Sequence, residues 1–306
     1  MTRPRVPLLA LAAGLLLPGL GQVYAGHPAR GLGVLLGVAV LPIVTAWLAL
    51  MGPSPALWLV VLAGVLAGVG VYAWSVVDAW RLARRNPGPV APWQRPLVYV
   101  LCVVVAYLFV LLPFVGYARD NLLESFHVPS ASMLPTIVPG DHLLADKRVN
   151  RPSGVPVWRG AVALFIYPDQ RTQMYIKRIV ALPGDRVEID GTTISVNGRP
   201  LGRREVHDLG DPARNRLLAD HVAFEERADR GPYTVLWKKD GVREKSNWVV
   251  PSGSVFVLGD NRDGSRDSRQ FGVVPLADVK AVARQVFMSY APDEGMRWSR
   301  LGHIVR

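Results

Sequence analysis

Three short segments of this chain hold side chains suited to covalent chemistry. The first is Phe126-His127-Val128-Pro129-Ser130-Ala131-Ser132-Met133-Leu134-Pro135-Thr136. The second is Tyr175-Ile176-Lys177-Arg178-Ile179-Val180-Ala181-Leu182-Pro183-Gly184-Asp185. The third is Leu258-Gly259-Asp260-Asn261-Arg262-Asp263-Gly264-Ser265-Arg266-Asp267-Ser268-Arg269. A serine hydroxyl is a weak nucleophile and needs a base beside it. Lysine is a base only when neutral. Its ordinary pKa is about 10.4, and burial among apolar groups lowers that by up to several units. Strand alternation puts Tyr175, Lys177 and Ile179 on one face and turns Arg178 to the other, toward solvent. Histidine is the other route to an active serine, but an extended strand would hold neither His127 nor His142 against Ser132. Taken singly, each segment also has a plain structural reading. A Ser-Ala-Ser turn bonds its own backbone, a Lys-Arg pair is exposed, and six charges between Asp260 and Arg269 make a solvated turn. Gly259 and Gly264 argue instead for tightly folded backbone there.

The elements that must position these residues begin after Arg119. Short β-branched runs at Ala161–Tyr167, Met174–Leu182, Val187–Val196, Tyr233–Trp237 and Ser254–Leu258 alternate with turns at Pro183-Gly184-Asp185, Asn197-Gly198 and Asp240-Gly241. That texture predicts an all-β sandwich or barrel. Ile189–Val196 followed by Asn197-Gly198 reads as part of a hairpin. The polar stretch 199–230 is expected to be an irregular insertion. Composition narrows the chemistry. The single Cys102 excludes a disulfide scaffold and a thiolate metal cluster. No His-Glu-x-x-His and no phosphate-binding glycine pattern occurs, so no metal, nucleotide or other cofactor is expected. Of the net charge of +11, the part after residue 118 is a modest +5 and is scattered, which argues against a nucleic-acid partner.

Of the 35 basic and 24 acidic side chains, eight precede Arg119, and none lies between Gly31 and Val77. Residues 1–96 read as a multi-span membrane region with spans at 32–51 and 56–77, joined by a turn at Gly52-Pro53-Ser54-Pro55. Residues 97–118 read as a further transmembrane anchor, and 119–306 as the extracytoplasmic domain. Segment 6–25 is ambiguous. It is a fourth span, a re-entrant piece broken at Pro18-Gly19-Leu20-Gly21, or a signal peptide ending at Val23-Tyr24-Ala25. Arg81, Arg84, Arg85 and Arg95 mark the loop after the second span as cytoplasmic, so the chain after Arg119 lies outside. Asp78 is expected to pair with arginine.

Together, in order and behind an outward-running span, the three segments resemble bacterial type I signal peptidases. These are membrane serine proteases that remove signal peptides with a Ser/Lys dyad. The resemblance covers most of 119–306, including Gly140-Asp141, Arg159-Gly160 and Trp298-Ser299-Arg300-Leu301-Gly302. It implies a mostly β catalytic domain with the signal-peptidase-like β fold behind the N-terminal α-helical transmembrane region. It implies Ser132 as nucleophile and Lys177 as base, with the oxyanion held by the Ser132 N–H and the Ser130 hydroxyl. Ser265 would orient Lys177 by a hydrogen bond, and an Asp267–Arg269 salt bridge would support its loop. Shallow pockets for small residues one and three positions before the cut would be lined by Phe126, Val128, Met133, Leu134 and Tyr175. Ile166 is better read as core. The expected partners are signal peptides of preproteins, the lipid bilayer of the bacterial inner membrane and the export machinery. Ala161, Ala181 and Gly264 stand where the family often has aspartate, glycine and asparagine. These departures bear on substrate preference and rate, and Ala181 would narrow the site. Two rivals are a Ser/Lys protease with other substrates, and an inactive homologue serving as a membrane or export-accessory module.

Overall fold

The computed structural model describes residues 4–51, 56–86, 88–91, 94–149, 155–202, 204–241 and 245–305. The chain divides into two compact units, Met1–Leu123 and Glu124–Arg306.

The first unit is helical. Helix α1 (Pro7–Leu16) is too short to cross hydrocarbon. The chain then breaks at Gly19, whose φ of 91° is left-handed, and resumes as α2 (Leu20–Tyr24). A Cβ on Gly19 would run into the backbone of Gly31, so this break needs glycine on steric as well as conformational grounds. The break falls within the segment that the sequence left open as span, re-entrant piece or signal peptide. Helices α3 (Pro28–Met51) and α4 (Leu57–Arg85) follow, and then α5 (Pro96–Ala106), a π-helical stretch at Tyr107–Leu111 and α6 (Leu112–Asn121). Three helices, Pro28–Leu50, Leu57–Arg85 and Pro96–Asn121, are long and apolar enough to cross a membrane. Their outward faces expose Leu59, Leu66, Val69, Leu97 and Phe109, a surface that suits hydrocarbon and not water. Asp78 does pair with an arginine. Its partner is Arg30 at 2.7 Å, while buried Gln22 donates to the other carboxylate oxygen at 3.1 Å. The 52–55 turn lies outside the described residues.

The second unit is built from strands β1 (Leu123–Val128), β2 (Asp141–Asp146), β3 (Val162–Ile166), β4 (Met174–Ala181), β5 (Arg186–Asp190), β6 (Thr193–Val196), β7 (Arg199–Pro200) and β8 (Arg204–Val206). It continues with β9 (His221–Ala228), β10 (Gly231–Lys238), β11 (Lys245–Val249), β12 (Ser254–Leu258), β13 (Val274–Pro275), β14 (Val279–Ala291) and β15 (Gly295–Met296). The main sheet runs β1-β2-β14-β3-β4-β12-β13, with β15 on β14. Two smaller sheets run β10-β9-β8 and β11-β5-β6-β7. Asn197 and Gly198, both at positive φ, close the turn from β6 to β7, while a second turn at Gly191 splits the expected Val187–Val196 run in two. The stretch 199–230 is not simply irregular. Strand β9 buries Ala223 on one face and Phe224 and Glu226 on the other, and it pairs along its length with β10. Charged residues on the outer positions hid that strand in the sequence.

Both faces of β4 are covered. Phe165, Ile179, Val257 and Val282 form one core, Val128, Met133, Ile137, Leu143 and Val286 a second, and Val180, Val187, Val235, Trp237 and Phe256 a third. Arg178 is therefore fully buried, contrary to the expectation that it faces solvent. Its guanidinium donates to Asp260 through Nε at 2.7 Å and Nη2 at 2.6 Å, and lies 4.0 Å from the Tyr233 ring centre. Strand β4 pairs with β3 over Val162–Ile166 but with β12 only from Arg178 onward. Among the described residues, its half from Met174 to Lys177 is thus paired on one side only.

Candidate active site

Three elements bring the three sequence segments together. The turn after β1 carries Ser130 and Ser132, β4 carries Lys177, and the loop after β12 closes over both. The Asn261 N–H donates to the Ser132 carbonyl at 3.1 Å, and the Asn261 amide donates to the Ala131 carbonyl at 3.2 Å. Gly259 makes this approach possible, because a Cβ there would meet the Ser265 side chain and stand 2.6 Å from the Ser132 carbonyl oxygen. At Gly264 the Asn261 side chain occupies the space where a Cβ would start, which accounts for glycine at that departure from the family pattern.

Lys177 is 4% exposed, and its Nζ donates to Ser132 Oγ at 2.8 Å and to its neighbour's carbonyl, Ile176 O, at 3.0 Å. Ser130 Oγ lies 3.2 Å from Ser132 Oγ. Burial lowers the pKa of Lys177 to about 8, with the carboxylates of Asp267 and Asp260 opposing the shift. The arrangement holds a hydroxyl against an amine that sheds its proton far more readily than an exposed lysine, with a second hydroxyl alongside. That is the pairing required for a nucleophile and its base.

Asp267 and Arg269 form the expected ion pair, at 2.8 Å. The Asp267 carboxylate also caps the short helix Ser268–Phe271, the Asp267 N–H donates to Gln270 Oε1 at 2.8 Å to complete a capping box, and the carboxylate accepts the Gly259 N–H at 3.0 Å. The ten-residue loop is not a solvated turn. Asp260, Arg262 and Asp267 are all buried, and Arg262 pairs with buried Glu226. Ser265 is buried near this site, but the hydrogen bond expected from it to Lys177 is not formed. Among the described residues its Oγ has no hydrogen-bond partner, and the Ile176 carbonyl orients the ammonium instead.

Beside Ser132 opens a cleft of about 340 Å³ lined by Phe126, His127, Val128, Pro129, Ser130, Leu164, Met174, Tyr175, Ile176, Lys177 and Arg266. Of the expected lining residues, Phe126, Val128 and Tyr175 are there. Met133 and Leu134 are not. Met133 is fully buried in the core under the serine turn, and Leu134 packs with Leu209, Ala223 and Leu236. The turn at Ala131–Leu134 carries them away from the cleft, which strand alternation could not foresee. Ala181 is buried in the core beyond Arg178, four residues along β4 from Lys177, and does not narrow the cleft. Ile166 lies outside the lining. Leu164, Met174 and Ile176 are the apolar residues missed; alternation puts the last two on the face opposite Lys177, and only the β3–β4 register pairs Leu164 with Ile176. His127 stands in the cleft wall with its ring 4.8 Å from that of His142, centre to centre. Burial and the neighbouring His127 hold His142 below the ordinary histidine range.

A family model described as signal peptidase, peptidase S26, matches residues 100–288. The signal peptidase I of Pseudomonas aeruginosa is 32% identical over 214 residues, covering 61% of this chain and 73% of that protein. That of Buchnera aphidicola subsp. Baizongia pistaciae is 28% identical over 256 residues, covering 65% of this chain and 82% of its own length. A crystal structure of a signal peptidase I from Enterococcus faecalis V583 is 30% identical, with a TM-score of 0.27, and covers 42% of this chain and 97% of that one. The chain belongs to the signal peptidase family, peptidase S26, serine endopeptidases that act at membranes and remove signal peptides from preproteins.

Proposed function

We propose that Ser132 and Lys177 carry out the cleavage. The observation that supports this most directly is the 2.8 Å contact from a buried lysine to a serine hydroxyl on the wall of an apolar cleft. Neutral Lys177 takes the Ser132 proton as Oγ attacks the carbonyl carbon of the residue before the cut. The Ser132 N–H and the Ser130 hydroxyl hold the resulting oxyanion, a contribution of about 3–4 kcal/mol per donor. Lys177 then gives its proton to the departing amine. A water hydrolyses the acyl-enzyme with Lys177 again as base, which returns both side chains to their starting state.

The substrate enters as an extended strand on the half-paired edge of β4, opposite Phe126–Ser130. Side chains one and three positions before the cut turn into the cleft, where Phe126, Val128, Leu164 and Tyr175 leave room for small groups only. The Asp267–Arg269 pair acts as support for the loop over the serine. We read residues 1–96 as a multi-span region, 97–118 as the anchor and the domain from 119 onward as extracytoplasmic, at the bacterial inner membrane. The helices beyond one anchor offer a surface for the export machinery. The inactive-homologue reading has no observation in its favour, since an unused lysine at this depth would cost stability without return. Preprotein cleavage by the wild type, Ser132→Ala and Lys177→Ala tests the dyad. Each substitution is expected to lower kcat by about a thousandfold or more, as removal of one member of a cooperating pair does. Wild-type activity in either variant rules the dyad out.

A further inference from the structure

The cleft wall holds one charged side chain besides Lys177, and the chemistry above does not use it. Arg266 follows Ser265 in the loop after β12, and no carboxylate lines the cleft among the described residues. Its side chain is 62% exposed and rests at the rim on a small brace from the β3–β4 connection. The guanidinium lies 5.7 Å from the Tyr167 ring centre, and Nη2 is 3.4 Å from Asp169 Oδ2. The Tyr167 hydroxyl donates to the same carboxylate oxygen at 2.7 Å, and its ring stacks on Tyr175 at 4.2 Å between centres. The contact to Asp169 is long and solvent-exposed, so it holds the guanidinium only weakly. Arginine has five N–H donors, and most remain available for a second carboxylate.

Strand geometry says where that carboxylate would stand. If the scissile bond sits at Ser132 and Lys177, a residue one step further back lies about 3.3 Å along the edge, toward Tyr175. The side chains before and after it point into the apolar cleft. Its own points the other way, to the rim where Tyr167 and Arg266 sit. We propose that Arg266 is a specificity-determining residue that reads charge two positions before the cut, favouring an acidic side chain and opposing a basic one. This rests on the proposed site.

The test uses the full-length protein in detergent micelles and preproteins that differ only at that position, carrying Glu or Lys. The readout is the ratio of kcat/KM for Glu over Lys, in which any general loss of activity cancels. We expect a ratio of about three to ten in the wild type at low salt, falling toward one in 0.5 M NaCl as screening shortens the reach of charge. Arg266→Ala brings the ratio to about one, Arg266→Glu inverts it, and Arg266→Lys keeps it above one. Asp169→Asn, which leaves Arg266 in place and removes its competitor, raises it. A ratio that is the same in the wild type and in Arg266→Glu overturns the proposal. So does an unchanged ratio in Asp169→Asn. Failure of the underlying site reading is separate, because it would show as Ser132→Ala cleaving both preproteins.

Discussion

Lys177 is a buried amine in an apolar setting. With Tyr175 and Ile176 around it and 4% of its surface exposed, it has lost most of its hydration, so the folded state favours the neutral amine. Its folded pKa of about 8 lies below the unfolded value of about 10.4. Between those values the unfolded chain binds more protons, so stability rises with pH across that window. Below pH 8 the full cost of a buried ammonium is present. Lys177→Met is therefore expected to abolish cleavage while raising Tm at pH 7, and the gain should shrink as the pH approaches 10. Thermal unfolding of wild type and variant at pH 7 and 10 checks this. A lower Tm for the variant at pH 7 would contradict the account of the pKa. The same group sets the acid side of the activity profile. In the wild type, kcat/KM should rise with pH through a limb near pH 8, where Lys177 becomes neutral.

At the level of elements, the loop Asp260–Arg269 acts on both strands it touches. Asp267 raises the Lys177 pKa through its charge. Asp267→Asn should therefore move the acid limb of kcat/KM to lower pH, a shift that a merely loosened loop would not produce. Asp260 ties the loop to β4 through Arg178, an ion pair with no exposed surface on either side chain. Removing one partner leaves the other buried and uncompensated, at a cost of about 3–5 kcal/mol. Arg178→Met should show this in denaturant midpoints, and should lower activity through the displaced loop. An effect below about 1 kcal/mol would mean that Asp260 finds another partner; Thr136, which donates to it at 2.6 Å, is the nearest on hand. The pair also explains a misreading. Period-two alternation separates Lys177 from Arg178 correctly, but whether the second face meets water depends on β10 and Tyr233, which come from distant sequence.

For the whole molecule, the proposed topology makes a direct prediction. Cys102, the single cysteine, lies in an apolar helix and can be replaced by serine. Against that background, Gly88→Cys should react with a membrane-impermeant maleimide only after permeabilisation, and Ser125→Cys should react in intact spheroplasts. The reverse pattern would refute the orientation inferred from the arginines at 81–95. Inside the helical unit, Arg30 and buried Gln22 both donate to the Asp78 carboxylate, the kind of pairing that polar side chains among apolar helices need.

The sequence by itself determined the division into an apolar third and a β-rich remainder, because absent charge and period-two alternation are local properties. It also determined the reaction class, because three short segments hold the needed groups in an order that resembles one family. What the tertiary structure decided was every distance and every environment. It brought Lys177 to Ser132 across 45 positions and buried Arg178. It withdrew Met133 and Leu134 from the cleft and put Arg266 and Leu164 there. Each of these depends on strands paired out of chain order, β14 between β2 and β3 and β12 beside half of β4, and on the low dielectric that their packing creates. A lysine's basicity and an arginine's partner are properties of that packing, not of the residues next to them in the chain.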